Sequence, residues 1–187
     1  VFENLESSVK NADFHSREKM HNASTIAGMA FANAFLGISH SMAHKIGAQF
    51  HTIHGRTNAI LLPYVIRYNG TRPAKTATWP KYNYYRADEK YQDIARMLGL
   101  PASTPEEGVE SYAKAVYELG VAVGIKMNFK DQGIDEKAWK DSLHEIALLA
   151  YEDQCSPANP RLPMVADMEE IMADAYYGYA ERPGRRK

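Results

Sequence analysis

The stretch Gly37-Ile38-Ser39-His40-Ser41-Met42-Ala43-His44-Lys45-Ile46-Gly47-Ala48-Gln49-Phe50-His51-Thr52-Ile53-His54-Gly55 organises the rest of the chain. Four of the seven histidines in the sequence lie between His40 and His54. Spaced i, i+4, His40 and His44 share one face of a helix, one turn from each other. Gly37 can end a preceding helix in the left-handed conformation, Ser39 can cap a short helix carrying the pair, and Gly47 can close it. His54 follows just before Gly55, where a loop can turn the chain back.

Working outward, the periodicity is helical on both sides. Val1, Phe2, Leu5 and Val9 give a first helix within residues 1–11. Asp13 is placed to cap a helix from Phe14 to about Leu36. Ala23, Ala27, Gly28, Ala30, Ala32 and Ala34 make the middle of that helix small, and polar groups are scarce from Ile26 to Ile38. A helix apolar nearly all round is expected to be buried on most sides, here as the central helix of a bundle. Downstream, Gly55 to Asn69 reads as a helix with Ile60, Leu61, Tyr64, Val65 and Tyr68 on one stripe. Pro63 should kink it or leave one backbone bond unmade.

Residues 70–86 hold Pro73, Pro80, Trp79, Tyr82, Tyr84 and Tyr85 and read as a long loop anchored by aromatics. Ala87 to Leu98 is a short amphipathic helix closed by Gly99. Thr104-Pro105-Glu106-Glu107 starts the next, with a Thr cap, Pro at the first position and Glu at the third. It ends at Gly120 or Gly124. Asp135 caps a helix carrying Trp139, Leu143, Ile146 and Leu149. After a loop from Asp153 to Pro163, a last helix runs through Met164, Met168, Ile171, Met172 and Ala175 to Gly178. No strand and no repeat emerges, so the expected fold is all-α.

With 187 residues, 45% apolar and 24% charged, the chain is long enough for one globular domain. A net charge of -1 gives no electrostatic footprint for nucleic acid or for an anionic membrane. The basic run Arg182 to Lys187 reads as a solvated end. Cys155 is the one cysteine, which excludes an intrachain disulfide and suits a reducing, cytoplasmic setting. It reads as a packed or semi-exposed thiol rather than a nucleophile. No apolar run approaches the length of a membrane helix, and no signal-peptide pattern is visible. Val1 in place of Met fits a chain that starts inside a longer protein.

Neutral imidazole is the commonest nitrogen ligand for divalent transition metals. Two imidazoles on one helix and a third shortly after suit such a site, although packing alone can also place histidines at this spacing. The zinc-protease reading of the i, i+4 pair needs a Glu directly after the first histidine. Here Ser41 follows His40, so a helical zinc hydrolase lacks its base. No Asp or Glu lies between Gly28 and Gly70. An acidic partner must come from the termini, the C-terminal helices or chain outside this sequence. His15, His21 and His144 sit among charged residues and read as surface positions.

Several segments together resemble the signature of the iron-containing (group III) alcohol dehydrogenases. They are Gly28-Met29-Ala30-Phe31-Ala32-Asn33, Leu36-Gly37, His40 through Gly47, His54-Gly55, and Asn58-Ala59-Ile60-Leu61-Leu62-Pro63. The later segment Asp153-Gln154-Cys155-Ser156-Pro157-Ala158-Asn159-Pro160-Arg161, with Ala175-Tyr176-Tyr177-Gly178, is similar to the alcohol dehydrogenase half of bifunctional aldehyde-alcohol dehydrogenases.

The resemblance implies an all-helical C-terminal domain of the dehydroquinate synthase-like / iron alcohol dehydrogenase fold, spanning residues 1–187. It would pack against an N-terminal nucleotide-binding domain. It implies a divalent metal, usually Fe(II) with zinc as the alternative, held by an upstream D-x-x-x-H pattern and two signature histidines. Those two match His40 and His54. His44 matches a histidine close to substrate, a candidate proton relay, and Phe31 an aromatic of the nicotinamide and substrate pocket. His51 falls at a position that is not a ligand and is expected at the pocket edge. This chain contains neither the D-x-x-x-H pattern nor the Gly-rich NAD segment. The implied reaction is NAD-linked reduction of acetaldehyde to ethanol within a fermentative acetyl-CoA-to-ethanol enzyme. The implied partners are a small alcohol or aldehyde, the rest of the same enzyme, and further copies in an oligomer or filament. The competing reading is an inactive fragment that serves as an interaction module.

Overall fold

The computed structural model describes residues 1–73 and 85–178. Within them the chain is helical throughout: α1 (Leu5–Lys10), α2 (Phe14–Ala34), α3 (Ile38–Phe50), α4 (His54–Gly70), α5 (Ala87–Met97), α6 (Pro105–Ala122), α7 (Glu136–Tyr151) and α8 (Val165–Tyr177). A single 3₁₀ turn, Ser156–Ala158, lies between α7 and α8. The expected all-α fold is what forms. The Arg182–Lys187 run and most of the aromatic loop lie outside the described residues. Among the described residues no single helix is long and apolar enough to cross a membrane.

Helix starts follow the side chains that can satisfy their free N–H groups. Asp13 Oδ1 accepts from the Ser16 N–H at 2.9 Å, Asp135 Oδ1 from Ala138 at 2.9 Å, and Thr104 Oγ1 from Glu107 at 3.2 Å. Two expected boundaries move. Phe35, not Gly37, takes positive φ (63°) after α2, and extended Gly37 instead precedes α3. Gly37 is needed for close approach: a Cβ there would lie 2.7 Å from Asn159 Oδ1. Nor does Gly47 close α3, which runs on to Phe50 and ends at His51 in the left-handed conformation (φ 54°, ψ 35°). Ser39 lies inside α3 and spends its hydroxyl on Asn58. α4 continues through Pro63 to Gly70.

The main core is built by α3, α4, α7 and α8 with the 127–129 segment. Ile38, Met42, Ile46, Ile60, Leu61, Phe129, Trp139, Met168, Met172 and Tyr176 are all buried there. Trp139 sits at its centre, with ring centroids 5.0 Å from Phe129, 5.1 Å from Tyr176 and 5.4 Å from Phe50. A second cluster, Ile66, Val109 and Ala113, joins α4 to α6.

The bundle's centre is therefore not α2. That helix packs on α1, its only buried residue is Ser16, and Ile26, Met29, Phe31 and Phe35 are exposed. The physical reason lies in its composition. Its apolar residues are spread around the axis and mostly small, so no stripe of large side chains competes with the isoleucines and methionines of α3 and α8 for the interior.

Helices α5 and α6 come into close contact at Gly108, where a Cβ would lie 2.6 Å from Gln92 Cα. Helix propensity favours Gly108→Ala by up to about 1 kcal/mol. The clash is with backbone, so the two helices must separate. We expect net destabilisation of about 1–3 kcal/mol, read as a lowered thermal midpoint. An unchanged or raised midpoint would show that the contact is loose.

Candidate metal centre

Three elements build the site. Helix α3 presents His40 and His44 from one face. Left-handed His51 then reverses the chain, and α4 begins at His54. The connection is fixed by the Thr57 hydroxyl, which donates to the Ile53 carbonyl at 3.1 Å and lies 2.6 Å from Thr52 Oγ1. The result is a cluster of three imidazoles. Ring centroids are 5.3 Å apart for His40 and His54, 5.4 Å for His44 and His54, and 6.2 Å for His40 and His44. Burial, followed by the neighbouring His54 and His44, holds the His40 pKa below its ordinary value. His40 is thus biased to the neutral form, which is the form that ligates metals.

His54 is oriented by Ser39 and Asn58, a role the sequence reading did not give them. Ser39 Oγ donates to Asn58 Oδ1 at 2.9 Å, which turns the Asn58 amide nitrogen toward His54 Nε2 at 3.1 Å. That amide can only donate, so Nε2 is the acceptor in this contact, and a metal bound at Nε2 would take the place of the Asn58 amide.

The missing carboxylate arrives from 109 residues downstream. Asp153 Oδ2 lies 3.2 Å from His44 Nδ1 and 2.9 Å from Lys45 Nζ, while its Oδ1 accepts from the Cys155 N–H at 3.0 Å. The loop carrying Asp153 is pinned to the bundle. Ser156 Oγ donates to the Ala150 carbonyl at 2.8 Å, and Asn159 Oδ1 accepts from the Ile38 N–H at 3.3 Å. Asn159 also donates to Asn69 Oδ1 at 2.7 Å. The only signal for Asp153 in the sequence is its place in the Asp153–Arg161 segment of the family resemblance.

Burial would raise the Asp153 pKa, but bonds from Cys155, Lys45 and His44 outweigh it and hold the carboxyl at about 2. A depressed folded pKa contributes stability above the ordinary carboxyl value, and that contribution is lost as pH falls through the folded one. With an ordinary value of 3.8, the window runs from about pH 4 down to about pH 2. Asp153 is nearly buried, and the shift corresponds to about 2 kcal/mol. Acid titration of wild type against Asp153→Asn should show the wild-type advantage shrinking across that window. Parallel curves would remove the assignment.

His44, Asp153 and Cys155 also place one donor atom each within 4.8 Å of the others. Their chemistry does not favour a metal there. Burial and the Asp153 carboxylate push the Cys155 thiol up to about 11, so a metal would have to displace its proton, and the Lys45 ammonium already occupies Asp153 Oδ2. The His40–His54 side of the cluster suits a divalent cation better, because burial favours the neutral, ligating form of His40 and the two rings lie 5.3 Å apart.

Of the other expected residues, Phe31 is 48% exposed on α2 and is not joined to the histidine rings among the described residues. His51 is exposed and lines a separate cavity of about 480 Å³ with Phe50, Arg56, Gln132 and Asp135. The structure does not bring it into the cluster. His15 and His21 are exposed, as expected, and exposed His144 pairs with Glu169 at 2.5 Å.

Among the described residues the class is an all-helical domain in which two successive helices bring three histidine rings together. The family is settled by comparison. The model of the Fe-containing alcohol dehydrogenase family, C-terminal, matches residues 1–176, and the chain belongs to that family. The aldehyde-alcohol dehydrogenase of Streptococcus pneumoniae serotype 2 (strain D39 / NCTC 7466) is 90% identical over 187 residues, covering 100% of this chain and 21% of the relative. The bifunctional aldehyde-alcohol dehydrogenase AdhE of Escherichia coli (strain K12) is 40% identical over 166 residues, covering 87% of this chain and 19% of the relative. Among solved structures, the iron-containing alcohol dehydrogenase of Thermococcus thioreducens superposes with a TM-score of 0.79 at 31% identity, covering 95% of this chain and 41% of the other. This chain spans about a fifth of the length of these aldehyde-alcohol dehydrogenases.

Proposed function

We propose that this chain is the C-terminal helical part of the alcohol dehydrogenase half of a bifunctional aldehyde-alcohol dehydrogenase. In this reading residues 1–187 form the metal-binding domain, and the enzyme is cytoplasmic and reduces acetaldehyde to ethanol with NADH. The observation that carries it is the convergence of His40, His44 and His54 at positions matching the signature of the family to which the chain belongs.

His40 and His54 are assigned as metal ligands. When bound, the metal supplies a Lewis acid for the substrate oxygen, and the nicotinamide carries the hydride. The residues of this chain do the rest. His40 and His54 offer imidazole nitrogens, His40 biased to the neutral form by burial, and Asn58 orients the ring of His54. His44, 34% exposed at its side chain, accepts the hydroxyl proton in alcohol oxidation and returns it in aldehyde reduction. Phe31 faces outward, where the nucleotide-binding domain of the same enzyme would lie. The exposed apolar residues Ile26, Met29, Phe31 and Phe35 of α2 support that docking.

The test is an assay of the complete enzyme carrying this segment. Ethanol-dependent NAD reduction should disappear on iron chelation and return with Fe(II). Full activity in the metal-free protein would overturn the reading, as would recovery with Zn(II) alone for the choice of metal. The module reading gains nothing specific beyond the same exposed face of α2.

A further inference from the structure

We propose that Asp153 is a positioning residue for His44, fixing both the plane and the tautomer of the imidazole. This rests on the proton-relay role assigned to His44 above. The argument is one of donors and acceptors. Asp153 Oδ2 faces the ammonium of Lys45 at 2.9 Å, and its Oδ1 faces the backbone N–H of Cys155 at 3.0 Å. Both contacts require acceptor oxygens, so the carboxylate has no proton to give. The 3.2 Å contact with His44 is then a hydrogen bond only if Nδ1 of His44 carries the hydrogen. In the neutral ring that leaves the lone pair on Nε2. The side chain of Asp153 is 7% exposed, and its loop is tied to α3 through Ser156 and Asn159. The acceptor therefore cannot swing away from the ring. Helix α3 sets where His44 stands, and the Asp153 loop sets which nitrogen it shows to the cluster.

A purely structural role would act through the other two partners, Lys45 and the Cys155 backbone. A double-mutant comparison in the complete, iron-loaded enzyme separates the two. Iron per subunit, kcat and KM for ethanol oxidation are measured for wild type, Asp153→Ala, His44→Ala and the double variant. We expect Asp153→Ala to keep its iron and to lower kcat by roughly 10–100-fold, the range typical of an outer partner that orients a histidine. KM should move far less. The double variant should match His44→Ala alone, because the partner through which Asp153 acts is already gone. An additive double variant would overturn the positioning role, and so would loss of iron from Asp153→Ala, which would make Asp153 a ligand. If Asp153→Ala does not fold, Asp153→Asn is set against Lys45→Met, which removes the ion pair but keeps the bond to His44. Equal losses in those two would overturn the proposal, and a clearly larger loss in Asp153→Asn supports it. Wild-type enzyme without ethanol oxidation would overturn the functional reading and the role of His44 together. Wild-type activity with an additive double variant overturns the positioning role alone.

Discussion

Replacing His40 with alanine in the complete enzyme should strip the site of iron and abolish ethanol oxidation. Burial and the two neighbouring histidines hold the pKa of His40 down, which favours the neutral, ligating form. Its ring lies 5.3 Å from that of His54, whose orientation is set by Asn58. Removing one member of the pair leaves the other without a partner on this chain. The loss should exceed the roughly 10–100-fold that removal of an outer-shell partner costs. His54→Ala should behave the same way, whereas His44→Ala should keep its metal and lose turnover. Iron stoichiometry after dialysis, read beside kcat, distinguishes them. Full iron occupancy in His40→Ala or His54→Ala would remove the ligand assignment.

The largest effect on stability is expected at Trp139. It is 2% exposed and stacks on Phe50, Phe129 and Tyr176, which come from α3, the 127–129 segment and α8. It thus ties together four separate parts of the core. Trp139→Ala should cost about 3–5 kcal/mol, since rings from separate elements cannot all collapse into the space left. For a chain of this size each kcal/mol lowers the midpoint by about 2–4 °C, so the fall should be roughly 10 °C or more by circular dichroism. Trp139→Phe keeps most of the stack. It also removes an indole N–H that is buried with no acceptor among the described residues, so its cost should be much smaller. Equal losses for the two variants would show that packing around this ring is not what holds the core.

The helical architecture was legible because its local signals agree. Asp13, Thr104 and Asp135 sit where helix starts need an acceptor, and Ile60, Leu61, Tyr64 and Val65 mark a buried stripe. The depth of α2 was not legible. A helix of alanines and scattered apolar residues has the same composition whether a neighbour covers it or not, and only the packing of the larger side chains elsewhere showed that the centre lies at α3 and Trp139. The three-histidine cluster could be anticipated, since i, i+4 spacing and a short connection constrain where the rings point. His51 could not be separated from the others by spacing. Its left-handed backbone turns it toward a different cavity.

By itself, the sequence determined that the chain is helical, that His40, His44, His51 and His54 fall in one short stretch, and that it resembles the iron-containing alcohol dehydrogenases. These follow from short-range rules: period, caps and motif spacing within a few turns. Only the tertiary structure decided that Asp153 meets His44 and Lys45, that Asn58 and Ser39 orient His54, and that Cys155 is a protonated, buried thiol. Such contacts join residues as many as 109 positions apart. No local propensity encodes them. They exist because the Ser156–Asn159 loop is hydrogen-bonded onto α3 and the end of α4, and that closure brings an acid to a histidine whose own neighbourhood has none.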